Sequence, residues 1–241
     1  NPKQKNYTHN IQKSSNFIAN LVRDLLELTK MEAGKFHLDH IPFSLEEIIS
    51  DVTTQIESIH QHKNIALTIT VDQILQQKII GDPFRLKQIL SNIIGNAYKF
   101  TPQGSITIHA YAKDTQYYIE IRDTGIGIKK ENLSKVFEEF TQADDQIEKK
   151  FGGSGLGLTI AKKLTEAMNG MIKLESVYNE GSTFTLQFPL HISSYHSVEN
   201  SEPQHIQSAP KNLLLLDDNP DLLYLIEEMM LVNNVTCYKF T

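Results

Sequence analysis

Four glycines fall within six residues in Phe151-Gly152-Gly153-Ser-Gly155-Leu-Gly157-Leu158, and the helical run Thr159–Met168 follows at once. A glycine turn feeding a helix aims free backbone N–H groups and the positive end of the helix dipole at one point, which makes an anion site. A dinucleotide-binding fingerprint of this kind needs a strand immediately before it. Here Asp144–Lys150 is in the main charged and polar, so the Rossmann reading fails. The surrounding periodicities point elsewhere. Residues 44–60 and the segment after Pro83 carry helical stripes, the second with Leu86, Ile89, Leu90, Ile93, Ile94 and Ala97. Ser44 reads as a cap, with Glu46 and Glu47 near the positive end of the dipole. Ala66–Val71, Ser105–Ala112, Tyr117–Asp123, Met171–Ser176 and Thr183–Leu190 read as strands. Helix, strand, helix and then mostly antiparallel strands predict a layered α/β domain with helices on one sheet face.

Three further polar blocks stand in fixed order around the glycine turn. In Asn92-Ile-Ile-Gly-Asn96-Ala-Tyr-Lys99-Phe-Thr101 the two asparagines are four apart, so both amides share a helix face with Lys99 one turn on. An amide oxygen can complete the shell of a phosphate-bound Mg²⁺, and the lysine can neutralise phosphate charge. Asp123-Thr-Gly125-Ile-Gly127-Ile128 ends a strand. Its carboxylate can accept from an exocyclic amine such as that of adenine, and its glycines allow close backbone approach. Asn179-Glu-Gly181-Ser-Thr183 offers hydroxyls to the same pocket. Singly, each block has a plain structural explanation as helix surface, turn or flexible loop; their order is what points to a site.

These blocks resemble the N, G1, G2 and G3 boxes of sensor histidine kinases, and Val136-Phe137-Glu-Glu-Phe140 resembles the F box between them. The resemblance implies a Bergerat-type two-layer sandwich, with ATP and Mg²⁺ as ligands. It implies a catalytic set of Asn92, Asn96 and Lys99, with Asn96 on the metal and Asp123 on adenine. The ATP pocket would add Phe100, Gly125, Gly127, Ile128, Phe140, Gly153, Gly155, Leu156, Gly157, Leu158 and Thr183, under a mobile lid spanning roughly 129–151. Residues 10–35, ending in Leu-Thr-Lys-Met-Glu-Ala-Gly-Lys, are similar to the second helix of the family's dimerisation and phosphotransfer domain. Ile11, Ile18, Leu21, Leu25 and Leu28 give that helix an a/d seam widened by Val22 and Leu26, with Gly34 as a stop.

Two rival readings remain open. Hydrolysing ATPases of the gyrase, chaperone and mismatch-repair types place a glutamate four residues before the magnesium-binding asparagine, where it activates water. This chain has Asn92 there, and an amide cannot take that proton. A non-catalytic nucleotide-binding or dimerisation module is the other alternative, against which the intact boxes weigh. The block expected around a phospho-accepting histidine is absent, and His9, in Tyr-Thr-His-Asn, does not fit it. His60 and His62 lack partners at a convincing metal spacing.

Residues 191–210 read as a linker, and Leu213–Leu216 as a buried parallel strand ending in Asp217-Asp218 before a helix at about 220–232. This resembles the start of a response-regulator receiver, in which Asp217 and Asp218 would help hold Mg²⁺. The expected organisation is 1–40 dimerisation helix, 41–192 ATP-binding domain, 193–210 linker and 211–241 receiver start. A net charge of −6 argues against a nucleic-acid partner, and the single cysteine, Cys237, suits a reducing cytosol. No apolar run approaches spanning length. The expected protein is thus a piece of a longer hybrid kinase, cytoplasmic in this portion and anchored in the inner membrane through other regions. Its expected partners are a histidine-bearing helix of the same or a partner subunit, a receiver domain, and a second copy in a homodimer.

Overall fold

A computed structural model describes residues 2–32, 37–61, 63–139, 155–192, 212–216 and 236–240. The chain divides into two compact units, Asn1–Ser194 and Tyr195–Thr241. In the first, α1 (Pro2–Glu32) leads to β1 (Ile41–Phe43), α2 (Leu45–Ile59), β2 (Ile65–Val71), β3 (Ile79–Gly81) and α3 (Pro83–Phe100). There follow β4 (Gly104–Lys113), β5 (Gln116–Asp123), α4 (Gly157–Ala167), β6 (Met171–Val177) and β7 (Gly181–Pro189). Single 3₁₀ turns lie at Gln73–Gln76 and Lys130–Asn132.

The main sheet runs β2-β4-β5-β7-β6, with β2 parallel to β4 and every other pair antiparallel. Its inner face alternates strictly, because strand side chains repeat every two residues. Ile106, Ile108 and Ala110 of β4, Ile119 and Ile121 of β5, and Phe184, Leu186 and Phe188 of β7 are all buried. Against them lie Leu45, Ile49 and Val52 of α2, Leu86, Ile89, Leu90, Ile93 and Ile94 of α3, and Ile160, Ala161 and Leu164 of α4. One face of helices over one face of a mixed, mostly antiparallel sheet is the expected two-layer arrangement.

Local chemistry sets the helix starts. Ser44 Oγ accepts from Glu47 N–H at 3.2 Å and caps α2. Asp82 caps α3 by accepting from Arg85 N–H at 2.9 Å, with Pro83 at the first helical position. The other oxygen of Asp82 accepts from Asp39 N–H at 3.0 Å, tying the approach to β1 onto the start of α3. The pair β1–β3 was not visible in the sequence, since three-residue strands are too short to show a period. The stop expected at Gly34 lies outside the described residues.

α1 is a single 31-residue helix. Leu28 is buried and Met31 packs against the core, whereas Ile11, Ile18, Val22, Leu25 and Leu26 are 66, 60, 48, 44 and 56% exposed. Among the described residues no helix is long and apolar enough to cross a membrane. In the second unit, Asn212–Leu216 pairs in parallel with Thr236–Phe240. The helix expected at about 220–232 lies outside the described residues.

Candidate nucleotide site

The inner face of α3 is committed to the core, so its opposite face, one to two residues out of phase, is left for other work. Asn92, Gly95, Asn96 and Lys99 are half-buried on that face. Neither asparagine amide is engaged in a hydrogen bond among the described residues. Burial lowers the Lys99 ammonium from its ordinary 10.5, and its Nζ sits 4.8 Å from the centre of the Phe100 ring.

The end of α3 is held from outside the helix. Lys63, on the connection from α2 to β2, donates to the carbonyls of Tyr98, Lys99 (3.1 Å) and Thr101 (3.2 Å). A cation at a helix C-terminus answers both the unpaired carbonyls and the negative end of the dipole. Burial lowers the Lys63 ammonium as well. Tyr98 Oη donates to Glu57 Oε1 at 3.1 Å, joining α3 to α2 in the same region.

β5 delivers Asp123 to this point. The residue is 6% exposed, and burial pushes the carboxyl above its ordinary 3.8 while the N–H groups of Gly125 and Ser182 pull it part of the way back. Gly125 N–H donates to Asp123 Oδ1 at 2.8 Å, and Ile126 N–H donates to Phe100 O at 3.1 Å. The turn after β5 is therefore laid directly on the end of α3. Gly125 permits this: a Cβ there would stand 2.5 Å from Phe100 O and 2.8 Å from both Asp123 Oδ1 and Thr101 Oγ1. Gly127 has φ +59°, and its Cβ would meet Val177 O at 2.0 Å. The loop before β7 closes the other side. Asn179 N–H donates to Ile126 O at 2.8 Å, and Ile128 N–H donates to Ser176 Oγ at 2.8 Å. Ser176 Oγ also donates to Gly181 O at 2.8 Å.

The register separates two neighbours that the sequence reading treated as one block. Ser182 lies opposite Asp123, on its face, and Ser182 Oγ is 3.0 Å from Ser176 Oγ. Thr183 lies opposite Arg122 and Glu175, on the other face. The register thus sets Ser182, and not the expected Thr183, on the face of Asp123, because a one-residue step along a strand reverses the face. The signal was available in the alternation Ser182, Phe184, Leu186, Phe188.

The start of α4 meets α3 at its first asparagine: a Cβ on Gly157 would lie 3.1 Å from Asn92 Oδ1. Leu156 is buried at the N-cap, and no side chain caps α4. The first N–H groups of α4 are therefore presented beside Asn92 without a capping side chain, and Gly155 (φ +72°) and Leu158 flank them. The start of the expected lid is anchored on the same helix. Thr159 Oγ1 donates to Phe137 O at 3.0 Å, and Lys163 Nζ pairs with Glu139 Oε1 at 2.9 Å. Phe140, Gly153, Asp217 and Asp218 lie outside the described residues. Along α3 the structure thus sets Asn92 against Gly157 at the start of α4 and Phe100 against Asp123 and the Gly125–Gly127 turn, with Asn96 and Lys99 on the helix between.

One buried group there was not singled out in the sequence. Thr101, fully buried at the C-cap of α3, has a side-chain oxygen with no hydrogen-bond partner. An unpaired buried hydroxyl costs about 1–3 kcal/mol. Thr101 Oγ1 and Asp123 Oδ1 both lie 2.8 Å from the point where Gly125 would carry a Cβ.

Comparison with known proteins agrees with this geometry. Residues 81–192 match the family described as histidine kinase-, DNA gyrase B-, and HSP90-like ATPase. The signal transduction histidine-protein kinase BarA of Escherichia coli (strain K12) is 36% identical over 223 residues, covering 90% of this chain and 24% of that protein. Hybrid signal transduction histidine kinase L of Dictyostelium discoideum is 43% identical over 188 residues, covering 76% of this chain and 11% of that protein. The crystal structure of full-length ShkA in complex with AMPPNP superposes with a TM-score of 0.67 at 24% identity, across 99% of this chain and 49% of that one, a likeness of fold. The chain spans less than a quarter of the length of either curated relative. Residues 81–192 thus match a histidine kinase-, DNA gyrase B- and HSP90-like ATPase domain, and the relatives that 76–90% of this chain resembles are histidine protein kinases.

Proposed function

We propose that this chain binds ATP with Mg²⁺ and, as part of a hybrid sensor kinase, transfers the γ-phosphoryl group to a histidine on a separate helix and onward to a receiver aspartate. The observation that carries the reading is the junction at which Asp123 and its glycine turn rest on the end of α3 while the side-chain-uncapped N-terminus of α4 meets Asn92.

Asp123 accepts a hydrogen bond from the adenine amine. Lys99 and the first N–H groups of α4 face the phosphates, where fixed positive charge stabilises the negative charge of the group in transfer. Asn96, with Asn92 one turn before it, offers amide oxygens to the metal. Magnesium, when bound, supplies further positive charge on the phosphates. Because position 92 carries an amide, it has no capacity to draw a proton from water, which favours transfer over hydrolysis.

The same reading assigns residues 1–40 to a dimerisation helix, 41–192 to the ATP-binding domain, 193–210 to a linker and 211–241 to a receiver start. A parallel pair β8 (Asn212–Leu216) and β9 (Thr236–Phe240) supports the last assignment, in which Asp217 and Asp218 follow the first strand. A homodimer and a cytoplasmic place of action belong to the reading too.

The test is calorimetric binding of ATP·Mg²⁺, then incubation of the chain and γ-labelled ATP with a separate histidine-bearing helix domain. Acid-labile, base-stable label on that domain is expected. Asn96→Ala is expected to cut that transfer at least tenfold while changing nucleotide affinity less. Phosphate release without transfer would favour the hydrolysing rival, and absence of binding would leave a structural module.

A further inference from the structure

We propose that the cavity at the start of β5, at the other end of that strand from Asp123, binds a small primary alkylammonium, with Tyr117 and Asp39 as its polar contacts. The inference is independent of the nucleotide reading. Tyr117 lies six residues before Asp123 on β5, about 20 Å along the strand.

The cavity has a volume of about 80 Å³ and is lined from several elements of the first unit. Phe188, at the end of β7, lies opposite Tyr117 in the register, with ring centres 5.3 Å apart. Met168 enters from the end of α4, Asp39 from the approach to β1 and Asp82 from the cap of α3. Tyr117 is 4% exposed, and its hydroxyl has no hydrogen-bond partner among the described residues. Thr101 Oγ1 is the one unpaired side-chain oxygen among them that is fully enclosed. The unpaired Tyr117 hydroxyl is therefore open, and its residue lines the cavity. A fold that pairs its buried polar groups leaves such a hydroxyl where something else completes it.

The lining then gives the chemistry. It carries two carboxylates, Asp39 and Asp82, two imidazoles, and neither a Lys nor an Arg side chain among the described residues. Each oxygen of Asp82 already accepts one N–H. The exposed Asp39 carboxylate has no ion pair or hydrogen bond among the described residues, so it is the one left for a ligand. α4 also ends here, with Met168 at its C-cap and Asn169 in the left-handed region at φ +57°. A helix C-terminus favours a cation. Burial pushes the Tyr117 hydroxyl above its ordinary 10.0, so it stays neutral and accepts from an ammonium N–H. Met168, Phe188 and Ile80 offer apolar wall to the stem. A cavity of about 150 Å³ holds benzene. One of about 80 Å³ takes an ammonium and its first few carbons, with the rest of the stem outside.

The experiment titrates the whole chain at pH 8 with butylammonium chloride and follows the backbone amide signals by NMR. Butanol and sodium chloride at matched concentrations are the controls. Saturable shifts are expected at residues 38–40, 117, 168–169 and 188–191, with a dissociation constant of about 1–10 mM. Sodium chloride should give none, and butanol should bind about tenfold more weakly. Tyr117→Phe removes only the hydroxyl and Asp39→Asn only the charge. Each should weaken the ammonium about three- to tenfold and leave ATP·Mg²⁺ affinity and melting temperature unchanged. Absence of saturable shifts means that the hydroxyl is merely hydrated, and overturns the proposal. Butanol binding as tightly as the ammonium, or either variant binding it like wild type, overturns it equally. Shifts confined to residues 92–99 would put the amine in the nucleotide site and overturn it too. ATP calorimetry on the same sample tests the nucleotide reading separately, so the two can fail independently.

Discussion

At the scale of single residues the site is a set of groups held in forms that cost the free protein something. Asp123 illustrates it. Its folded pKa is raised, so the stability linked to its protonated form is fully present below the ordinary 3.8 and lost as pH rises through the folded value. Burial of that carboxyl therefore costs the folded domain stability as pH rises, a cost that the proposed adenine contact would offset. Asp123→Asn is expected to weaken ATP about 10–100-fold, the range for a hydrogen bond to a charged group, without lowering the nucleotide-free melting temperature. Calorimetry and thermal melts check the two halves separately. Wild-type affinity should also fall on acidification, beginning above pH 3.8, and Asp123→Asn should abolish that limb. Gly127 makes a different demand: φ is +59° and Val177 O occupies the space of a side chain. Gly127→Ala should cost at least about 2 kcal/mol, read as a fall of about 4–8 °C in a melt. Much of this chemistry was legible in advance, because Asp123, its glycines and the asparagine pair are of scarce types at telling spacings. What escaped was orientation. Thr183 and Ser182 are equivalent as hydroxyls, and it takes the alternation of Ser182 with Phe184, Leu186 and Phe188, set in the β5–β7 register, to decide which faces Asp123. Thr101 escaped because a buried hydroxyl becomes conspicuous only when its surroundings fail to pair it.

At the scale of elements, α3 is the piece on which the rest depends, since it fills the core with one face and builds the site with the other. Long stripes and capping residues made it, α2 and α4 readable; three-residue strands and contacts from distant loops did not. Lys63 belongs to the second kind. Nothing in its local sequence announces that its ammonium reaches the last carbonyls of a helix more than thirty residues away. Lys63→Met keeps the aliphatic stem and removes the donors. It should destabilise the domain by about 1–2 kcal/mol, a fall of about 2–8 °C. It should also weaken nucleotide binding, because Lys99 sits on the turn it secures. A variant melting with wild type would remove the tether from the account.

At the scale of the whole molecule, the apolar stripe of α1 is incomplete by itself. Ile11, Ile18, Val22, Leu25 and Leu26 face outward, an exposure that a helix seam relieves by association. Sedimentation should find the chain self-associating at micromolar concentration, and Ile18→Lys with Leu25→Glu should return it to monomer with its nucleotide affinity intact. Among the described residues of α1, Leu28 is buried and Met31 packs against the core, both near its last turns. That contact is a pivot under a long arm. At 1.5 Å per residue the helix is about 46 Å long, so a 10° swing about the pivot sweeps the far end through roughly 7 Å. α1 packs on α4, the helix whose first residue faces Asn92, so a tilt of the arm would be felt there first.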